Sequence, residues 1–172
     1  MTSPRVRPAV VDDADAIALV QARSWQAAYR GFMPDELLDS LDVAARAQQE
    51  RERLGQLPPR VAVFVALDPS GQIVGFAQVG DYDERDGAGQ VYAIYVDPGH
   101  WSTGAGRALM AAALDFLTAD GPRPVRLWAL DGNERARRFY ERCGFVADGV
   151  TGSHLARGQV ELPTIRFTLD PR

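Results

Sequence analysis

The stretch from Gln90 to Leu109 limits what this chain can fold into more than any other. Gln90 to Val96 reads as a strand and Asp97-Pro98 stops it. Thr103-Gly104-Ala105-Gly106-Arg107 then leads directly into a helical pattern with Ala105, Leu109, Ala112 and Phe116 on one face. A strand, a glycine turn and an amphipathic helix in that order call for a helix packed back on a sheet. The same order makes an anion site. The first helical N–H groups have no intrahelical partner, and the helix dipole favours negative charge there by roughly 0.3–1 kcal/mol. Gly104 and Gly106 lack Cβ atoms, so a diphosphate can come close to the backbone. By itself, Gly-x-Gly before a helix fits a tight packing turn as well as a phosphate seat. A Walker A loop is a poor fit because Arg107-Ala108 stands where a Lys-Ser/Thr pair is required. The dinucleotide fingerprint is a poor fit because Leu109 occupies the third small position.

The rest of the chain surrounds this unit with further strands and helices. Arg5 to Val10 reads as a strand, and Asp12 or Asp13 caps a helix running to about Tyr29. Pro34–Leu41 and Val43–Leu54 read as one broken helix. Val61–Leu67 and Gln72–Val79 are strands around the turn Pro69-Ser70-Gly71, and a polar loop spans Asp81 to Gly89. After the Gly104–Ala119 helix come a strand over Val125–Leu130 and a helix over Glu134–Cys143, with Gly144 as a left-handed stop. Phe145–Val150 and Thr164–Leu169 are strands joined by a loose segment. The 172 residues are expected to form a single domain.

Composition narrows the function. A net charge of −4 gives no electrostatic case for nucleic acid, so an anionic ligand must be held by local donors. No apolar run is long enough to cross a membrane and the N-terminus lacks a signal-peptide core, so a cytoplasmic protein is expected. Cys143 is the only cysteine and His100 and His154 the only histidines, so neither an internal disulfide nor a metal cluster is expected.

A second motif decides between the packing turn and the phosphate seat. Leu127-Trp128-Ala129-Leu130 is followed by Asn133-Glu134-Arg135-Ala136-Arg137-Arg138-Phe139-Tyr140-Glu141-Arg142-Cys143-Gly144-Phe145. Together the two stretches resemble the donor-binding motif Q/R-x-x-G-x-G/A and the following N-x-x-A-x-x-F-Y-x-x-x-G-F of the GNAT superfamily of N-acetyltransferases. The element order before and after them also fits that family.

The resemblance implies an α/β (α+β) fold, a twisted mixed sheet of about seven strands flanked by helices with a splayed central pair. It implies acetyl-CoA, or another acyl-CoA, as co-substrate and no metal. The pyrophosphate would rest on the backbone of Thr103, Gly104, Ala105, Gly106, Arg107, Ala108 and Leu109. The pantetheine arm would lie along Ile94, Tyr95 and Val96, with Asn133 and Ala136 beside its acyl end. Tyr140 would protonate the leaving thiolate as general acid. Trp25, Tyr29 and Phe32, with Tyr82, Gln90 and Tyr92, would face the acceptor, a small-molecule amine or a peptide. Homodimers are common in the family.

Two positions depart from the pattern. Trp101 stands where Gln or Arg is usual, and Gln90 stands where some members carry a glutamate base. Tyr92, Asp81, Asp83 and Glu84 remain as candidate proton relays, as does selection of the free amine from solution. Cys143 reads as packing rather than nucleophile, since no histidine lies near it in sequence. Arg135, Arg137 and Arg138 read as a solvated face from which one could meet a CoA phosphate.

Overall fold

The computed structural model describes residues 4–82 and 85–171. The strands are β1 (Arg5–Pro8), β2 (Ala62–Leu67), β3 (Ile73–Asp81), β4 (Gly89–Val96), β5 (Val125–Leu130), β6 (Val146–Ala156) and β7 (Val160–Leu169). The helices are α1 (Ala14–Ala28), α2 (Asp35–Asp39), α3 (Val43–Leu54), α4 (Ala105–Leu117) and α5 (Glu134–Arg142). The strands form one seven-stranded sheet in the order β1-β2-β3-β4-β5-β7-β6. Only β4 and β5 pair in parallel, across the α4 crossover.

The alternation of β2 divides its side chains between two helical layers. Val63, Val65 and Leu67 pack with Ile17, Val20, Leu54 and Phe76 under α1 and α3. On the other face, Ala66, Val74 and Ala77 meet Ala105 and Leu109 of α4. Tyr140 of α5, Phe145 and Phe167 extend that second core towards β5 and β7.

Three details differ from the sequence expectation. The helical stretch after Pro34 is two helices rather than one broken helix, because Asp42 starts α3 afresh by accepting from the Ala45 amide at 2.9 Å. Asp13 does not cap α1. Its carboxylate turns back to the Val10 N–H at 2.8 Å and to both terminal nitrogens of Arg7. The segment expected to be loose after Val150 is instead a long hairpin turning at Arg157 and Gly158, both with positive φ. Only Ala156 of β6 is buried, so this strand carries no apolar alternation from which to be read.

The central pair does splay. β4 and β5 pair only over Gly89↔Val125, Gln90↔Arg126 and Val91↔Leu127. Immediately beyond, β4 carries a bulge: Gln78 opposes Ala93 while Val79 opposes Val91, leaving Tyr92 as the extra residue. A bulge bends and twists its strand, and from here to Val96 the β5-facing edge of β4 has no strand partner.

Candidate active site

A cleft of about 1870 Å³ opens where the two strands part. Its floor is the free edge of β4. The Asp97 N–H bonds back to Val74 on β3, so by alternation the polar groups of Ile94 and Val96 point away from β3, into the gap. The Val96 carbonyl is already occupied: it accepts the Ser24 hydroxyl at 3.0 Å and the Trp101 indole N–H at 2.8 Å. Trp101 therefore serves the strand end through its ring nitrogen. The Arg135 guanidinium lies 3.8 Å from the Trp101 ring centroid.

At one end of the cleft sits the start of α4. Gly104 is left-handed with φ +93°, a conformation that side chains rarely adopt. Ser102, two residues earlier, also has a positive φ, and nothing in the sequence foretold it. The first intrahelical bond runs from the Ala108 N–H to the Gly104 carbonyl, leaving the preceding amides for a ligand. Gly106 has a packing reason as well: a Cβ there would lie 3.2–3.3 Å from the Phe139 ring of α5. Ser102, Gly104, Gly106 and Arg107 line the cleft. Ala105 and Leu109 are buried against the sheet, Ala108 is half-buried outside the lining, and the Thr103 hydroxyl donates to the His100 carbonyl.

The second motif forms the adjoining wall. Asn133 caps α5 by accepting from the Ala136 amide at 3.2 Å, and both residues line the cleft. Arg135 and Arg138 also face it, whereas Arg137 turns to Glu141. Six arginines and one carboxylate, that of Asp42, line the cleft among the described residues, so this acidic protein presents a basic interior to an anion. These features, left-handed Gly104, the free amides and the arginines, suit a polyphosphate-bearing substrate. Gly144 closes α5 with φ +93°.

Tyr140 is buried among Phe139, Phe145 and Phe167. Burial, and then the neighbouring Tyr95, raises its hydroxyl pKa well above the tyrosine range. The Tyr95 hydroxyl lies 3.1 Å from that of Tyr29, whose pKa is likewise driven upward by burial. Three tyrosines from α1, β4 and α5 thus meet in one cleft, a convergence the sequence did not reveal. Burial also raises the thiol of Cys143.

Of the expected acceptor-facing residues, Trp25, Tyr29, Gln90 and Tyr92 line the cleft. Two do not. Phe32 packs by Gly132, outside the lining. Tyr82 lies between the guanidinium groups of Arg126 and Arg166, at 5.0 and 6.0 Å, also outside it. The Asp81 carboxylate is clamped by Arg123 at 2.7 Å and Arg60 at 2.6 Å, and those bonds hold its pKa below the usual range, as in a structural ion pair. Asp83 and Glu84 fall outside the described residues. Residues that sequence reasoning passed over include Arg46 on α3 and Ser153 on the hairpin, and His154, weighed above only as a metal ligand, lines the cleft with them.

A profile of the acetyltransferase (GNAT) family matches residues 23–145. The chain belongs to the GNAT family of acetyltransferases. It is 34% identical over 130 residues to the uncharacterized N-acetyltransferase YuaI of Bacillus subtilis, covering 74% of this chain and 72% of that protein. It is 36% identical over 100 residues to the mycothiol acetyltransferase of Acidimicrobium ferrooxidans, covering 57% of this chain but only 32% of that protein. The fold of this GNAT chain matches the PaiA N-acetyltransferase of Thermoplasma acidophilum in complex with coenzyme A. The TM-score is 0.78 at 18% identity, over 98% of this chain and 99% of that one. Among the described residues, no helix is long and apolar enough to cross a membrane, and no group of three or more His, Cys, Asp or Glu is arranged to hold a metal.

Proposed function

We propose that this chain transfers the acetyl group of acetyl-CoA to the primary amine of a small molecule or peptide by direct attack on the thioester. The observation that carries the reading is the partnerless edge of β4 beyond Val91, with the start of α4 at one end and Tyr140 in the adjoining wall. The amides from Gly104 onward seat the pyrophosphate, with Arg107, Arg135 and Arg138 as charge partners. Ile94 and the Val96 N–H take the pantetheine arm, since the Val96 carbonyl already has two side-chain donors. A backbone N–H aimed at the carbonyl oxygen polarises it.

The amine nitrogen attacks the thioester carbon, the C–S bond breaks and sulfur takes the proton of Tyr140. The amine's surplus proton passes to water. A phenol whose pKa is raised by burial keeps its proton at neutral pH, as a donor to a departing thiolate must. With Gln90 in place of a carboxylate, the acceptor enters as the free amine. The burial-raised thiol of Cys143 argues against an acyl-enzyme on that residue. We read the setting as cytoplasmic and the working form as a homodimer; the exposed edge strand β6, with Val146 and Leu155 on its surface, supports the latter.

Tyr140→Phe tests the assignment. Under saturating acetyl-CoA, kcat should fall ~10²–10⁴-fold, the range of general acid assistance, with donor affinity nearly unchanged. Unchanged turnover would remove Tyr140 from the chemistry.

A further inference from the structure

We propose that the acceptor is a small amine that also carries a carboxylate, seated on Arg46 and the indole N–H of Trp25. This rests on the transferase reading and specifies its substrate class. Gln21 and Trp25 on α1 and Tyr29 just past its end follow one another at four-residue intervals and line the cleft. Trp25 is only 8% exposed, yet its Nε1 has no hydrogen-bond partner, and neither has the buried Oε1 of Gln21 one turn earlier. A buried donor left unpaired is uncommon in a folded protein and calls for an explanation. A ligand acceptor atom supplies one.

The second observation is Arg46. Its guanidinium lies 5.8 Å from the Trp25 ring centroid and lines the cleft. The neighbouring arginines of this helical layer are all committed: Arg23 to Asp97, Arg30 to Asp35 and Asp39, Arg51 to Asp15, Arg53 to Glu50. Among the described residues Arg46 has no carboxylate partner. A guanidinium with no carboxylate partner is a receptor for a planar anion, since a carboxylate matches its paired N–H groups, and the unpaired Trp25 N–H supplies a further donor in the same lining.

The same features disfavour a polycation. The only carboxylate lining the cleft among the described residues, Asp42, is held at the start of α3 by the Ala45 amide. The position of the receptor relative to the chemistry also fits. Trp25 meets Tyr29 in a tilted ring contact at 5.1 Å between centroids, and the Tyr29 hydroxyl reaches that of Tyr95 at 3.1 Å. A line of side chains thus runs from the anion seat to β4, so a molecule anchored by its carboxylate would direct its amine towards the parted strands.

The test uses the full chain with acetyl-CoA, following thiol release and, separately, binding by calorimetry to the CoA-bound protein. Free amino acids are compared with their carboxamides and with the decarboxylated amines. The carboxylate-bearing member of a productive pair should show a kcat/KM higher by at least about tenfold, as when a site's donors are otherwise left unpaired. Arg46→Gln should raise acceptor KM by about as much and erase the preference for acid over amide, with acetyl-CoA affinity unchanged; Trp25→Phe should act in the same direction and more weakly. Equal or better use of the amides overturns the seat while leaving the transferase reading intact. A preference surviving in Arg46→Gln, or a change in acetyl-CoA affinity there, also overturns the seat. Carboxylate-dependent binding without turnover keeps the seat and overturns the transferase reading. No binding and no turnover with any carboxylate-bearing amine overturns the inference.

Discussion

The two ends of the cleft are built from different materials. In the proposed reading the donor end is mostly backbone: left-handed Gly104, the free amides before Ala108 and the partnerless edge of β4. The end proposed for the acceptor is mostly side chain, with Trp25, Tyr29 and Arg46 from one helical layer, and Ser153 and His154 of the β6–β7 hairpin line the same cleft. A backbone site tolerates almost any side chain that keeps its glycines and its helix start. A side-chain site changes its ligand with each substitution. A GNAT chain can therefore hold its donor constant while its acceptor drifts.

The pH profile gives the largest effect expected of this contrast. Among the described residues the only carboxylate lining the cleft, Asp42, is engaged at the start of α3, so the fraction of free amine should set the rate. With a primary amine of pKa ~10.4, kcat/KM should climb roughly tenfold per pH unit from neutrality. Burial raises Tyr140 above the ordinary tyrosine value, so the acid form persists and no falling limb should appear below about pH 10. A plateau well below the amine's pKa would reveal a protein base and break the comparison.

Gly106→Val comes next. Its Cβ would crowd the Phe139 ring, and overpacking of this kind costs about 1–3 kcal/mol, or roughly 5–150-fold where the donor seat absorbs it. Weaker acetyl-CoA binding by calorimetry together with a lower Tm is the expected result. An unaffected donor Kd would show that the α4–α5 contact does not shape the seat. The smallest effect belongs to Tyr82→Phe. This residue lies outside the cleft, so steady-state constants for both substrates should stay within about twofold and stability within about 0.5 kcal/mol.

Legibility in the sequence follows the same division. The donor end sits in two short stretches with residue types at fixed offsets, so Gly104, Asn133 and Tyr140 stood out before any coordinates. The acceptor end is assembled from segments far apart in the chain, and no local pattern joins Trp25 to Arg46. Arg46 lies in a strongly charged helix, where one uncommitted guanidinium looks like the rest. The hairpin was missed because its edge strand has almost no buried face, and apolar alternation is the signal by which strands are read. Phe32 and Tyr82 show the converse. An aromatic residue near a site in sequence need not face it in space. Gly106 has a reason the sequence could not show: a Cβ there would crowd a phenylalanine ring of the neighbouring helix.

The doubly occupied Val96 carbonyl has a further consequence, for the life of the protein before any substrate arrives. Two strands that part leave raw edges within the sheet, and an unpaired edge invites another strand to zip onto it. The Ser24 hydroxyl and the Trp101 indole plug the last acceptor of that edge. A flexible, linear substrate arm can still reach the remaining groups from inside the cleft, but a foreign strand seeking register along β4 meets a blocked terminus. The tryptophan that departs from the family pattern thus occupies an acceptor that an added strand would need.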